Sequence, residues 1–421
     1  MPAGLESVFT WAAPPLKFGA GALDEIGSDV RQLGVTRCLV LTDAGVGATG
    51  VPARAMERIR AAGVECELYD SVVVEPTDLS VTAAADWACG GGWDGFVAIG
   101  GGSVIDTAKG VNLLITQPGE LLDYVAPPLG GGRAPSRPLH PLVAVPTTAG
   151  TGSESTTICV VDLLSKHLKA GVSHVSLRPS LAVVDPELTF SMPREVTASS
   201  GMDVLSHALE SYTAKPFDAR PRVQDPTRRP AFCGANPVSD HWSERALQLV
   251  GRYLRRAVED GYDDQARYQM ALASTYAGTG FGNAGTHLPH ANAYPIAGAV
   301  RDYRAAGYPA MPMVPHGQAV AATAPEVFRW TYEADPQRHL HAAALLTCTA
   351  MTATDGAGAL AEAVAALSRD IGMPRGLRAF GYDEDDLDGL VDGTLQQTRQ
   401  LAVVPREVDR ESLKGIYQRS L

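Results

Sequence analysis

The six cysteines, Cys38, Cys66, Cys89, Cys159, Cys233 and Cys348, are scattered, with no CxxC pair and no zinc-ribbon spacing. In a chain of this size that excludes a cysteine zinc module or a disulfide framework. It reads as reduced, mostly buried thiols in a cytoplasmic protein. The opening MPAGLESVFTWAAPPLKFG lacks a basic segment followed by an apolar one, so no secretory signal is evident. No stretch approaches the roughly eighteen uninterrupted apolar residues of a membrane span. Positive charge is in deficit, with 35 Lys and Arg against 47 Asp and Glu and a net charge of −12. That argues against a nucleic-acid footprint and against attraction to anionic membranes. It leaves room for a local basic pocket that takes a small substrate. Internal repeats are absent, and so is the GxGxxG fingerprint of an ordinary dinucleotide fold.

What is present is a chain of 421 residues, 45% apolar and 19% charged, too long for one ordinary core. Its first half alternates strand and helix patterns. CLVLT (38–42), ECELYDSV (65–72) and LVAVPTT (142–148) read as strands, GFVAIGGGS (95–103) as a strand entering a glycine-rich turn, and the segments 53–63, 80–90 and 104–116 as helices. Such alternation predicts a parallel sheet covered on both faces. From about residue 190 the patterns become almost wholly helical, as in 202–212, 243–260, 265–278, 339–350 and 358–372. Two domains are therefore predicted: an α/β dinucleotide-binding domain over 1–190 and an all-α domain over 191–421. The boundary falls between Asp185 and Pro193. A Pro- and Arg-rich insertion at 215–237 reads as an ordered loop over the surface of the second domain.

Chemistry concentrates in the second half. In MDVLSHALESY, Asp203 and His207 stand four apart on one helical face among apolar neighbours. THLPHANAYPIAG supplies His287 and His290, and VPHG supplies His316. Burying a carboxylate and imidazoles together needs compensation, either by an Asp–His hydrogen bond or by a divalent transition metal. A metal there would polarise a carbonyl or alkoxide oxygen, which makes the chain a catalyst. Spacing does not choose between His287 and His290 as the next ligand. His174, His241, His339 and His341 lack comparable company and read as structural or solvated.

The first half offers a nucleotide site. Gly100, Gly101, Gly102 and Ser103 leave a buried strand and open a helix, where free N–H groups favour a pyrophosphate. PTTAGTGSE (146–154) is a second such loop. Asp43, at the end of CLVLT, suits a ribose hydroxyl pair or a helix cap.

GGGSVIDTAK, PTTAGTGSE, MDVLSHALESY and HANAYPIAG with VPHG, in this order, resemble the iron-containing (group III) alcohol dehydrogenases over nearly the whole chain. Within that family, LYDSVVVEPTD (68–78), RPAFCGANPVSD (229–240) and GYDEDDLDGLVDGTLQQTR (381–399) are similar to the hydroxyacid–oxoacid transhydrogenase subgroup. The resemblance implies the dehydroquinate synthase-like fold of that family, with an N-terminal α/β domain, a helical domain and the active site in the cleft. It assigns the metal to Asp203, His207, His290 and His316 and leaves His287 beside the site. The cofactor-binding set becomes Asp43, Gly100, Gly101, Gly102, Ser103, Asp106, Thr147, Thr148, Thr151, Ser153 and Lys169. Many relatives carry a histidine four residues after the third ligand; here Tyr294 stands there, a weaker proton exchanger at neutral pH.

The implied reaction is hydride transfer between a hydroxy acid and an oxo acid through NAD. The implied substrates are 4-hydroxybutyrate with 2-oxoglutarate, giving succinic semialdehyde and 2-hydroxyglutarate. The implied metal is Fe(II), with Zn(II) suited equally by ligand softness, and the implied assembly is a homodimer or larger. Arg301 and Arg304 are candidates to read a substrate carboxylate, or else solvated charges. An NAD(P)-dependent alcohol dehydrogenase or aldehyde reductase on the same scaffold is the alternative. A sugar-phosphate cyclase-type lyase and a non-catalytic binding protein fit the motifs less well.

Overall fold

The computed structural model describes residues 4–166, 168–226 and 229–421. Its chain divides into two units, Ala13–Ser191 and Met192–Leu421, the second including the N-terminal segment up to Ala12.

The first unit is built on short apolar runs that are buried on both sides. Its strands and helices are β1 (Leu16–Phe18), α1 (Ile26–Gln32), β2 (Arg37–Asp43), α2 (Ala44–Gly47), α3 (Val51–Ala61), β3 (Glu65–Val72), α4 (Asp78–Ala88), β4 (Gly95–Gly100), α5 (Gly102–Thr116), α6 (Leu121–Tyr124), β5 (Leu142–Pro146), β6 (Ile158–Leu163), β7 (Leu168–Ser173) and β8 (Leu181–Val184). Six of these strands form a parallel sheet in the order β1-β8-β5-β4-β2-β3. Alternation along each strand sends side chains to opposite faces. Val40, Val97, Ile99, Val143 and Val145 pack under α1 and α3 with Ile26, Val30 and Ile59. Leu39, Leu41, Phe96, Ala98 and Ala144 pack under α4 and α5 with Ala84, Val104, Ile105 and Ala108. A sheet buried on both faces reads as continuous apolar sequence, which is why β4 and β5 carry no polar side of their own.

The strand–helix reading passed over β1 and β8 and also the antiparallel hairpin β6–β7. That hairpin closes a third apolar cluster with α6, containing Leu121, Tyr124, Cys159, Val161, Leu168 and Val172. It also carries Asp162 and Lys169, and its Val160 N and Ile158 carbonyl bond Asp106 and Lys109 of α5.

The second unit is helical: α7 (Arg194–Thr213), α8 (Pro237–Glu259), α9 (Asp264–Ala284), α10 (Leu288–Gly298), α11 (His316–Thr331), α12 (Pro336–Thr347), α13 (Gly358–Asp370), α14 (Leu387–Leu395), α15 (Thr398–Leu401) and α16 (Arg410–Arg419). Side chains start several of these. Asn236 accepts from Ser239 N ahead of α8, Asp263 from Ala266 N ahead of α9, and Asp409 from Ser412 N ahead of α16. Around α10 and α11 an apolar cluster that includes Leu288, Ile296, Val320, Val327, Leu390, Ile416 and Tyr417 makes a rigid base.

In the insertion, residues 227 and 228 lie outside the described residues. The rest is not only a surface loop as its composition predicts. Phe232, Cys233 and Ala235 are buried, and the Phe232 carbonyl accepts from Arg220 Nη1 at 2.6 Å. Among the described residues no helix is long and apolar enough to cross a membrane.

Candidate metal centre and nucleotide loops

Three elements of the helical unit supply the predicted ligands. Asp203 and His207 project from one face of α7, His290 from the first turn of α10, and His316 from the start of α11. Glycine at 317 permits this, because a Cβ there would overlap the Ser199 carbonyl of α7. The PHG sequence thus lets α11 begin against α7 and delivers His316 to the cluster.

One ligand atom from each of Asp203, His207 and His290 lies within 4.8 Å of the others, and all three residues are buried. Asp203 Oδ1 stands 3.5 Å from His290 Nε2, 3.7 Å from His207 Nε2 and 3.8 Å from His316 Nε2. In a tetrahedral site with metal–ligand bonds near 2.1 Å, ligand atoms lie about 3.4 Å apart. Among the described residues, Asp203 Oδ1, His290 Nε2 and His207 Nδ1 are buried without a hydrogen-bond partner. Asp203 Oδ1 and His290 Nε2 face each other at 3.5 Å, and two such orphans at one point are costly unless a cation completes them. The donor set fits a divalent transition metal. His316, with its side chain 25% exposed, forms the more open edge.

The sequence reading missed Glu210, which lies three residues after His207 on the same face of α7. It is fully buried; Oε1 contacts His290 Nδ1 at 2.6 Å, and Oε2 accepts from His287 N at 2.6 Å and His290 N at 3.4 Å. A carboxylate on the far ring nitrogen fixes the tautomer that turns Nε2 toward Asp203. Burial opposes charge on His290, but the Glu210 and Asp203 carboxylates raise its pKa to about 9. Burial drives His207 down to about 3, which keeps it neutral and able to ligate. Burial would raise Asp203, yet the surrounding imidazoles hold its carboxyl below the usual range. Two buried carboxylates facing one protonated ring, His290, and one neutral ring, His207, leave an excess of negative charge that a divalent cation balances once it displaces that proton. Phe281 of α9, also missed, stacks on His207 with centroids 3.9 Å apart and planes within 6°.

His287 is placed elsewhere. Its Nδ1 accepts from Leu288 N at 2.7 Å, capping α10, and its Nε2 lies 3.0 Å from Thr213 Oγ1 of α7, so both ring nitrogens are engaged. Tyr294, one turn after His290, is buried; its ring lies 6.3 Å from that of His316, and its hydroxyl accepts from Arg399 Nη2 at 3.5 Å. Arg301 and Arg304 do not reach this cluster. Arg301 is exposed and forks onto Asp386 at 2.9 Å and 2.9 Å, and Arg304 donates to the Ala310 carbonyl at 2.7 Å. Their reading as surface charges holds.

In the α/β unit the two glycine loops lie side by side. Gly101 precedes α5, whose first-turn N–H groups leave its open end. A Cβ on Gly102 would come within 2.8 Å of Thr151, and one on Gly101 within 3.4 Å of Thr148. Thr147 N donates to the Gly100 carbonyl at 3.0 Å, and Ser153 N to Thr151 Oγ1 at 3.3 Å. Backbone donors beside threonine hydroxyls fit a dinucleotide pyrophosphate.

The charged members of the predicted set brace these loops. Asp106 accepts from Ser153 Oγ and, at 2.9 Å, from Val160 N. Lys109, quoted in its motif but not singled out there, is fully buried and donates to Ser153 O, Ser153 Oγ, Thr156 Oγ1 and Ile158 O at 2.7–3.0 Å. Ser103 Oγ accepts from Glu75 N at 3.1 Å. Lys169 bridges Glu75 and Asp162, and although burial opposes it, those carboxylates raise its pKa. Asp43 caps α2, accepting from Val46 N at 2.9 Å.

Both halves match known sequence patterns. The pattern described as iron-containing alcohol dehydrogenase matches residues 14–186, and that of the C-terminal part of the Fe-containing alcohol dehydrogenase family matches 231–421. The chain belongs to the iron-containing alcohol dehydrogenase family and is an oxidoreductase. It is 44% identical over 418 residues to "Hydroxyacid-oxoacid transhydrogenase, mitochondrial" of Xenopus laevis, covering 98% of this chain and 90% of that one. The Homo sapiens protein of the same name is 41% identical with the same coverage. Among solved structures, a 1,3-propanediol oxidoreductase superposes with a TM-score of 0.84 at 31% identity, over 99% of this chain and 100% of that one. The sulfoacetaldehyde reductase of Bifidobacterium kashiwanohense, solved in complex with NAD+, gives 0.79 at 27% identity over 98% and 99%.

Proposed function

We propose that this chain is a metal- and NAD-dependent hydroxyacid–oxoacid transhydrogenase that converts 4-hydroxybutyrate and 2-oxoglutarate to succinic semialdehyde and 2-hydroxyglutarate. The observation that carries the chemistry is the convergence of the unpartnered Asp203 Oδ1 and His290 Nε2 with the buried His207 ring, and with His316 open at the edge. The choice of substrates rests on the relatives at 41–44% identity over nearly the full length.

A divalent iron at Asp203, His207, His290 and His316 supplies Lewis-acid polarisation of the reacting carbinol or carbonyl group. NAD, on the loops Gly100–Ser103 and Thr147–Ser153, supplies the hydride acceptor and donor. The net exchange would remove a hydride from C4 and a proton from the hydroxyl of the hydroxy acid, and would add a hydride to C2 and a proton to the oxygen of the oxo acid. The chain's own residues hold this arrangement. Glu210 keeps His290 turned inward, and the Phe281 ring keeps His207 in plane. The buried walls exclude water from the cluster. Tyr294 Oη accepts from Arg399, so its own hydrogen is directed elsewhere, and this hydroxyl is the proton relay beside His316.

The test uses protein purified without oxygen and loaded with Fe(II), given 4-hydroxybutyrate and 2-oxoglutarate without added NAD. Formation of 2-hydroxyglutarate is the expected result. Its absence, together with brisk reduction of free NAD by a simple alcohol, would overturn the reading. That outcome would select an ordinary alcohol dehydrogenase, the reading favoured by the likeness to 1,3-propanediol oxidoreductase.

A further inference from the structure

We propose that Arg399 receives the carboxylate of the substrate and so makes the site selective for acids over neutral alcohols. The inference deepens the hydroxy-acid reading above and rests on it for the identity of the anion.

Arg399 lies in α15, at the end of the segment GYDEDDLDGLVDGTLQQTR that the metal chemistry leaves unexplained. Its guanidinium sits 5.2 Å from the centroid of the Phe232 ring, in the buried part of the insertion. One N–H, from Nη2, reaches Tyr294 Oη at 3.5 Å, and the Tyr294 ring lies beside His316. The charge is therefore one side chain away from the candidate metal ligands. Among the described residues Nε and Nη1 are buried without any hydrogen-bond partner. No carboxylate among those residues pairs with it.

Other enclosed arginines of this unit show what such a group ordinarily requires. Arg338, stacked on Tyr212 at 3.9 Å, forks onto Asp240 at 2.6 Å and 3.0 Å. Arg267 donates to the Gly261 and Met192 carbonyls at 2.7 Å and 3.1 Å. A desolvated guanidinium with idle donors is expensive, and a planar carboxylate is its natural complement. Phe232 stacks the guanidinium and restricts its swing, so the fork is set before the anion arrives. A hydroxy acid could then place its hydroxyl at the metal ligands and its carboxylate on Arg399.

The test measures binding of butyrate, which has the carboxylate but no reacting hydroxyl, to the metal-loaded protein by calorimetry. Turnover of 4-hydroxybutyrate and 1-butanol is followed alongside. Arg399→Met should weaken butyrate by about 10–100-fold. It should also lower kcat/KM for 4-hydroxybutyrate at least tenfold more than for 1-butanol. Arg399→Lys retains the charge without the fork and should fall between, which keeps the test informative if the Met variant folds poorly. Equal butyrate affinity in wild type and variants, no butyrate binding by the wild type, or equal losses for acid and alcohol would overturn the assignment. Arg399-dependent butyrate binding without hydride exchange between acids would leave Arg399 in place and remove the transhydrogenase reading instead.

Discussion

The surroundings of the glycine loops and those of the metal cluster treat buried charge in opposite ways. In the α/β unit three charged groups beside the glycine loops are answered by the protein itself. Lys109 is surrounded by oxygens, Lys169 sits between Glu75 and Asp162, and Asp106 holds Ser153 and Val160 N. In the helical unit Asp203 Oδ1, His290 Nε2 and two nitrogens of Arg399 are left unanswered. Paired charge builds architecture; it shapes loops whose backbone donors then meet the nucleotide. Unpaired charge marks where something other than the protein completes the structure. The contrast predicts that mutations in the first region act through stability and those in the second through binding.

The largest effect is expected at Asp203, whose Oδ1 faces three imidazoles. Asp203→Asn should abolish stoichiometric metal in protein analysed after dialysis and lower kcat/KM on the order of a thousandfold or more. Metal retained at full occupancy with normal turnover would break the comparison at its strongest point. Lys109→Met tests the opposite side. Removing a fully buried ammonium leaves Asp106 and the Ser153 turn without their partner, at a cost of about 3–5 kcal/mol in denaturant unfolding. Metal content should stay unchanged.

A subtler distinction lies in proton linkage. In the metal-free protein the pKa of His290 is raised from 6.5 to about 9 by its carboxylate neighbours. The stability it contributes is fully present below about 6.5 and is lost as pH rises through about 9. A metal must displace that proton, so its apparent affinity should rise about tenfold per pH unit up to about 9 and then level off. Glu210→Gln removes one of the two carboxylates holding the proton. It should move the plateau to lower pH and weaken metal binding at the plateau about 10–100-fold, as competition with a chromophoric chelator would show.

Much of this was legible in the sequence, for definite reasons. Asp203, His207, His290 and His316 are polar residues in apolar settings, and helical periodicity alone puts Asp203 and His207 on one face. The strands β2, β4 and β5 announced themselves as unbroken apolar runs. Glu210 carried a signal that went unread, since it continues the Asp203–His207 face by one more turn. Phe281 and Arg399 carried none, because α9 and α15 reach the cluster only through tertiary packing. Arg301 and Arg304 stood open as carboxylate readers or solvated charges, because proximity in the chain says little once a helix and a loop intervene. Asp106 was visible within GGGSVIDTAK and Lys169 came only with the family resemblance, but their work as braces depends on the β6–β7 hairpin, whose short strands have no periodicity distinctive enough to predict.

Asp43 is where the two kinds of charge meet, and the smallest predicted effect discriminates between them. Its Oδ1 already accepts from Val46 N at 2.9 Å, so one duty, capping α2, is filled by the protein. Asparagine caps a helix about as well as aspartate, so Asp43→Asn should leave the melting temperature unchanged, whereas Asp43→Ala should cost about 1 kcal/mol. If the carboxylate also takes a ribose hydroxyl pair, losing its charge should raise KM for NAD about fivefold, the scale of one weakened hydrogen bond. It should also narrow the preference for NAD over NADP, because a carboxylate repels the 2′-phosphate that an amide tolerates. An unchanged KM and an unchanged preference would assign Asp43 wholly to the scaffold. The α/β unit would then present its cofactor site through backbone groups and hydroxyls, with Lys109, Lys169 and Asp106 turned inward as braces.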